Sequence, residues 1–269
     1  MGVKELIRSR RSVRTFDGRE LDESVKAELL SRAEKAMNPF GIGVSFRFLK
    51  GKDHGLVCPV ISGCDLYVGG KVEKVPFACA AFGYSFEAFI LAAQSMGLGT
   101  VWLGGTMNRG AYEEAMALAD NEMMPCATPV GYAAQKMSLK EKTMRKAIKA
   151  DSRLAFEELF FDGDFDTPLT PEKAGPLAES LEMVRLAPSA VNHQPWRIVK
   201  AGSALHFYLK RSKGYSSEGR PDMQMVDMGI ALCHFHLSAM ESGLHVEFTQ
   251  ADPGLESHGG EYIASFTVK

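Results

Sequence analysis

The sequence predicts an α+β fold made of two tandem copies of one unit, and three observations predict it. Segments of helical period alternate with short β-branched and aromatic runs, the pattern of a sheet covered by helices. The two halves also repeat one another. Ser45-Phe46-Arg47-Phe48-Leu49-Lys50 lines up with Pro195-Trp196-Arg197-Ile198-Val199-Lys200, and Thr15-Phe16-Asp17-Gly18 with Phe160-Phe161-Asp162-Gly163. The apolar segment from Phe86 to Met96, ending at Gly97-Leu98, lines up with Leu232 to Ser242, ending at Gly243-Leu244. The offsets lie at about 145 to 150 residues, the scale of a duplicated domain and far beyond a solenoid period. Finally, 269 residues with 45% hydrophobic content can bury an ample core between joined halves.

In chain order, a short helical opening from Val3 to Ser9 is followed by helical patterns over 22–37, 77–96, 109–119, 139–149, 172–186 and 223–242. Strand patterns fall near 45–50, 65–69, 127–133, 198–209, 245–249 and 262–268. The 77–96 segment is apolar nearly all round, so it is expected to lie buried between the halves. Pro168 to Pro176 is the expected exposed hinge into the second copy, and the copies are divided as 1–160 and 161–269.

Composition narrows the function. No run of 18 apolar residues exists and the N-terminus lacks a signal-peptide pattern, so a soluble, cytoplasmic protein is expected. A net charge of −2 argues against a broad nucleic-acid surface. Five cysteines at irregular spacing fit reduced thiols better than a disulfide framework. Cys233-His234-Phe235-His236 looks like a metal cluster, but on a helix the two histidines point to opposite sides, and packing is the better account. No Ser/His/Asp or paired-carboxylate arrangement stands out.

Three motifs carry chemistry. Ala187-Pro188-Ser189-Ala190-Val191-Asn192-His193-Gln194-Pro195-Trp196 reads as a sharp turn between helix and strand, which can present backbone N–H groups to an anion or a polar ring edge. Asn192 and Gln194 offer both donors and acceptors, suited to the mixed edge of a flavin or nucleobase. The same residues could also be an ordinary helix stop at Pro188 with Trp196 in the core. Arg10-Arg11-Ser12-Val13-Arg14 presents fork-shaped donors fit for a phosphate, or else a solvated basic face. In Gly97-Leu98-Gly99-Thr100-Val101-Trp102-Leu103-Gly104-Gly105 the glycines let the main chain approach a planar ligand. A P-loop is excluded because Gly105 stands where the Lys should be, and the dinucleotide fingerprint fails at Trp102.

Together these motifs resemble those of the nitroreductase-like FMN-dependent flavoproteins, in particular a fused branch in which one polypeptide mimics the family's homodimer. The first run is similar to the family's APSxxNxQPW, the second to RRSxRxF and the third to GLGTCWxGG. Thr128-Pro129-Val130-Gly131-Tyr132 resembles a strand ending in VGYP, with Ala133 in place of the final Pro. Arg153 before Phe156-Glu157-Glu158-Leu159 resembles a basic residue ahead of an LEEL-like segment, although Leu154 and Ala155 depart from the pattern. The match is weakest between Lys210 and Arg220.

The resemblance implies a flavin site at the junction of the copies. Arg10, Arg11, Ser12 and Arg14 belong to the element that would cradle the phosphate and ribityl chain, Arg153 would reach the phosphate, and the backbone of Leu103, Gly104 and Gly105 would approach the ring near its reactive nitrogen. Pro188, Ser189, Ala190, Asn192 and Gln194 would come from the second copy. His193 would either contact cofactor or substrate or stand as a partly exposed turn residue. Met123-Met124 could line the pocket or fill the core.

The copies have lost complementary parts. Asn38-Pro39-Phe40-Gly41 stands where the APS motif would be in the first half, and Phe160-Phe161-Asp162-Gly163-Asp164 where the arginines would be in the second. A symmetric dimer has two equivalent sites, each drawing on both subunits. In a fused chain one can decay, and Asp162 and Asp164 would repel an FMN phosphate at the second. One FMN per chain is therefore expected. The implied activity is electron transfer from NAD(P)H to a small acceptor such as a nitroaromatic or quinone, with Arg14 near the pyrimidine edge. The chemistry belongs to the flavin, so no catalytic acid or base is required. A non-catalytic flavin carrier or sensor is the alternative, and a monomer is expected because a fused pseudo-dimer needs no partner.

Overall fold

Two long apolar helices cross at the centre of the molecule, each backed by its own sheet. The computed structural model describes residues 1–212 and 219–269. The first half begins with α1 (Val3–Ser9), α2 (Glu23–Lys35), β1 (Val44–Lys50), α3 (Gly51–His54), β2 (Leu66–Glu73) and α4 (Ala78–Ser95). It continues through α5 (Arg109–Ala115), β3 (Glu122–Met123), β4 (Ala127–Pro129), α6 (Leu139–Ala147), α7 (Phe156–Leu159) and β5 (Phe160–Asp162). The second half has α8 (Pro171–Ala174), α9 (Ala178–Arg185), β6 (Trp196–Ala201), β7 (Ala204–Leu209), α10 (Met223–Glu241), β8 (Val246–Thr249) and β9 (Glu261–Val268).

The sheets share a plan. In the first, β1 pairs antiparallel with β2 and β2 with β4, and isolated bridges Gly99–Gly131 and Leu103–Ala127 continue the ladder outward. In the second the order is β5-β6-β7-β9-β8. Thus the segment after α4 borders β4 as β8, after α10, borders β9. The helices also end alike. Gly97 and Gly243 both adopt φ of 76°, and the following Leu98 and Leu244 N–H groups bond back to Ala93 and Ala239 at 3.0 Å. A left-handed glycine closing a helix in this way is a Schellman-type stop, here present twice.

β5 joins the halves. It follows α7 directly and pairs in parallel with β6, Phe160 opposite Ile198 and Asp162 opposite Lys200. One continuous core then runs through both halves, with Phe82, Phe86, Phe89, Trp196, Phe207, Phe235 and Phe266 fully buried. As expected, α4 is buried along most of its length.

Several sequence expectations change in detail. The 198–209 pattern is a hairpin, because Gly202 at φ 60° turns β6 into β7. The 172–186 helix is broken at Gly175 (φ 58°) and Pro176 into α8, a 3-10 turn and α9. Helix 109–119 stops early, with Ala117 left-handed. The Pro168–Pro176 segment is no open hinge. Leu169 is wholly buried and its N–H bonds to the Phe160 carbonyl at 2.9 Å, so β5 holds the segment down. Met124 is buried in a core cluster with Leu49, Tyr67 and Tyr112, which gives it a packing role. Part of the weakly matching stretch near Lys210 lies outside the described residues.

Candidate flavin site between the halves

The basic element is laid along the glycine segment. Val13 N–H bonds to the Thr100 carbonyl at 2.9 Å, and Ser12 and Thr100 form a parallel bridge. This fixes Arg10, Arg11 and Arg14 beside the strand that leads to Gly104-Gly105. Leu103 itself points inward at 1% exposure, and its N–H and carbonyl both bond to Ala127. Its contribution is therefore to anchor the loop. Arg109 holds the loop from below, donating to the Gly104 carbonyl at 2.8 Å and the Pro125 carbonyl at 3.0 Å. Gly104 faces the Met223 side chain at the start of α10, while Gly105 is open to solvent.

The second-half turn follows α9. Its Ser189 hydroxyl accepts from Gln194 N–H at 2.9 Å, and the Ala190 N–H donates to both oxygens of Asp227 on α10, at 3.0 and 3.1 Å. Burial, with the nearby Asp222 adding to it, pushes the Asp227 carboxyl well above its ordinary pKa, against the opposing Ala190 hydrogen bond. Val191, Asn192 and Gln194 all have positive φ, of 43°, 61° and 50°. For a β-branched residue such as Val191 that conformation is an outlier, and strain of this kind concentrates at ligand sites. Pro188 and Ser189 are half-buried and His193 is exposed.

Arg153 and its flanking turn meet this motif. Arg153 Nη1 lies 3.4 Å from Asn192 Oδ1, and Nη2 donates to the Leu186 carbonyl at 3.1 Å. Asn192 Nδ2 donates to the carbonyls of Lys149 at 2.9 Å and Ser152 at 3.0 Å, and Leu154 N–H donates to Gln194 Oε1 at 3.0 Å. A cleft of about 450 Å³ opens here, lined among others by Arg153, Leu154, Val191, Asn192 and Gln194.

Several partly or fully desolvated arginines gather in this region. Burial lowers the pKa of the Arg10, Arg14 and Arg153 guanidiniums; Arg145 adds to this at Arg10 and Arg14, and Arg10 and Arg185 add to it at Arg153. Arg11 Nη1, Arg14 Nη1 and Arg153 Nε are buried without a hydrogen-bond partner. Clustered, desolvated cations with unused donors are unfavourable unless an anion joins them.

The sequence reading missed two acids here. Glu141 on α6 is 2% exposed, accepts from Thr15 Oγ1 at 2.7 Å and stands 3.7 Å from Arg11. Asp227 supports the Ala190 turn from α10. Neither belongs to a motif, and an acid in a helical run has no signature beyond its charge. The acidic loop of the second half closes on itself: Asp164 Oδ1 accepts from the N–H groups of Asp166 and Thr167, at 3.0 and 2.9 Å. It is a turn at the end of β5.

The chain is an α+β protein of two fused copies, with a cleft between residues 147–154 and the 191–194 turn. Residues 2–239 match the family described as "Putative TM nitroreductase", and the chain belongs to that nitroreductase family. Among solved structures it is similar over its full length to a "putative nitroreductase" of Thermotoga maritima, with 21% identity, 93% of that chain covered and a TM-score of 0.62. A nitroreductase family protein of Clostridium novyi is similar to 50% of this chain and 87% of its own, at 16% identity and a TM-score of 0.44. A Desulfovibrio desulfuricans nitroreductase in complex with FMN is similar over 52% of this chain and 94% of its own, at 21% identity and a TM-score of 0.42. No curated protein matches by sequence.

Proposed function

We propose that this chain binds one FMN between its halves and passes electrons from NAD(P)H to a small acceptor such as a nitroaromatic or quinone. The observation that carries this reading is a set of buried guanidinium nitrogens without a hydrogen-bond partner, Arg14 Nη1, Arg153 Nε and Arg11 Nη1, the last facing Glu141 at 3.7 Å. Arg153 is tied to the second-half turn by Asn192, and Arg10 lies close enough to act on its charge. A phosphate would satisfy the Arg11 and Arg153 donors, leaving the Arg14 donor for the pyrimidine edge. Residues 1–160 and 161–269 are then the two copies, and the arginines of one serve with the turn of the other.

The bound flavin would supply the redox chemistry. The protein's own part is to bind and orient. Arg10, Arg11 and Arg153 face the phosphate side. Gly104 and Gly105 bring backbone within reach of the ring, and Pro188 to Gln194 form the opposite wall. Arg14, 7% exposed, places a positive charge at the pyrimidine edge, where it favours the anionic reduced state. Arg14→Ala is expected to lower the flavin midpoint potential.

Oxidation of NADH or NADPH by the flavin-loaded protein, with a quinone as acceptor, tests turnover. Sustained oxidation supports an enzyme. Flavin binding without it favours a carrier or sensor.

A further inference from the structure

A fully buried polar group lies outside the cleft, at the molecule's centre. Glu87 on α4 and His234 on α10 are both 0% exposed. Their Oε1 and Nε2 atoms are 3.0 Å apart. The other ring nitrogen, His234 Nδ1, lies 2.8 Å from the Met183 carbonyl, and Glu87 Oε2 accepts from Trp102 Nε1 at 3.0 Å. Every polar atom of this group therefore has a partner.

Proton counting restricts the group further. A carbonyl oxygen only accepts, so Nδ1 must carry a hydrogen. Between Nε2 and Oε1 there must be one more. Either an imidazolium donates to a carboxylate, or a neutral carboxylic acid donates to the imidazole. Both descriptions contain the same protons, so the pair holds one shared buried proton with no net charge.

The ends of this chain of bonds are what give it a role. Trp102 is followed directly by Leu103-Gly104-Gly105, the first half's approach to the flavin ring. Met183 lies in α9, which runs into Pro188-Ser189-Ala190. In the proposed flavin site the glycine loop and the Pro188–Gln194 turn come from different halves, and this relay links them through the core.

We propose that Glu87 and His234 are a positioning pair whose shared proton completes a rigid Trp102–Glu87–His234–Met183 relay, holding the glycine loop in register with the Pro188–Gln194 turn. The proposal rests on the flavin site described above. It gives a role to a fully buried Glu87 and His234, for which an unmatched partner would be costly.

The test uses FMN affinity of the full chain, read by flavin fluorescence, with the Trp102 indole N–H resonance as a second readout. Glu87→Gln can still accept from Trp102 and donate to a neutral His234, so it should bind FMN within about twofold of wild type. Trp102→Phe and Glu87→Ala break the relay and should weaken FMN at least tenfold, about 1.4 kcal/mol. Trp102→Phe removes one donor from a half-buried side chain and keeps the test open if Glu87→Ala does not fold. The chain has two tryptophans, so loss of a peak in Trp102→Phe assigns the resonance. That resonance should move in His234→Ala, although His234 does not touch Trp102.

Wild-type affinity in Trp102→Phe, or an unmoved resonance in His234→Ala, overturns the relay and leaves the flavin site standing. Equal loss in Glu87→Gln and Glu87→Ala also overturns it. Absence of FMN binding by wild type overturns both readings.

Discussion

Gly83 of α4 and Gly229 of α10 are reciprocal partners at the centre of the molecule. A Cβ on Gly83 would overlap the Val226 carbonyl, and one on Gly229 would overlap the Ala80 carbonyl. In each helix the glycine lies three residues beyond the residue whose carbonyl receives the other glycine. This is the self-complementary contact of a twofold interface, preserved within one chain. Close backbone approach here is what lets the flanking aromatic side chains interlock.

Gly83→Ala and Gly229→Ala should therefore each destabilise the protein by about 1–3 kcal/mol, the usual cost of overpacking. Gly43→Ala, where an added Cβ meets nothing within 4 Å, serves as control. Denaturant midpoints measure all three. A shift as small in Gly229→Ala as in Gly43→Ala would remove the glycine crossing from the account.

Asp227 makes stability depend on pH. Its folded pKa is raised by burial, so it contributes stability below the ordinary carboxylate value of about 3.9 that is lost as pH rises through the folded pKa. Asp227→Asn keeps an acceptor for the Ala190 N–H without the charge. It is expected to be more stable than wild type at pH 7, with the difference shrinking as the pH is lowered. Unfolding curves across that range decide it, and a variant less stable at pH 7 would contradict the assignment.

Arg153 should matter more to flavin than to the fold. Removing a charged donor from a phosphate site costs about 1.5–3 kcal/mol of binding, roughly tenfold to a hundredfold in Kd. Arg153→Ala also leaves the Leu186 carbonyl without its donor, so Arg153→Lys, which keeps the charge but not the fork, is the better comparison. Titration with FMN should rank wild type above Lys and Lys above Ala. An unchanged affinity in Arg153→Ala would place the phosphate elsewhere.

Much of this was legible in the sequence, because motif residues carry strong local chemistry. The repeat predicted the paired helices and their matching glycine stops. The complementary retention of the arginine element and the Asn192 turn led to the expectation of a common site, which stands as the proposal. The misses share a different cause. Gly202 is the only Gly or Pro in 198–209, so the β6–β7 hairpin looked like one strand. Phe160-Phe161-Asp162 was read as a decayed counterpart of the arginine element, yet it pairs in parallel with a strand far along the chain. Glu87, Glu141 and Asp227 lie in helices whose period says nothing about a lone acid. Their partners, His234, Arg11 and Ala190, are fixed only by tertiary packing.

The central claim is a single flavin site drawing on both halves. Its most direct test is the amount of FMN bound per chain at saturation, by visible absorption, in wild type, Arg10→Ala and Asn192→Ala. The account predicts one FMN per chain in wild type and greatly weakened binding in both variants, one altered in each half. Two FMN per chain, or no binding at micromolar FMN, would contradict it.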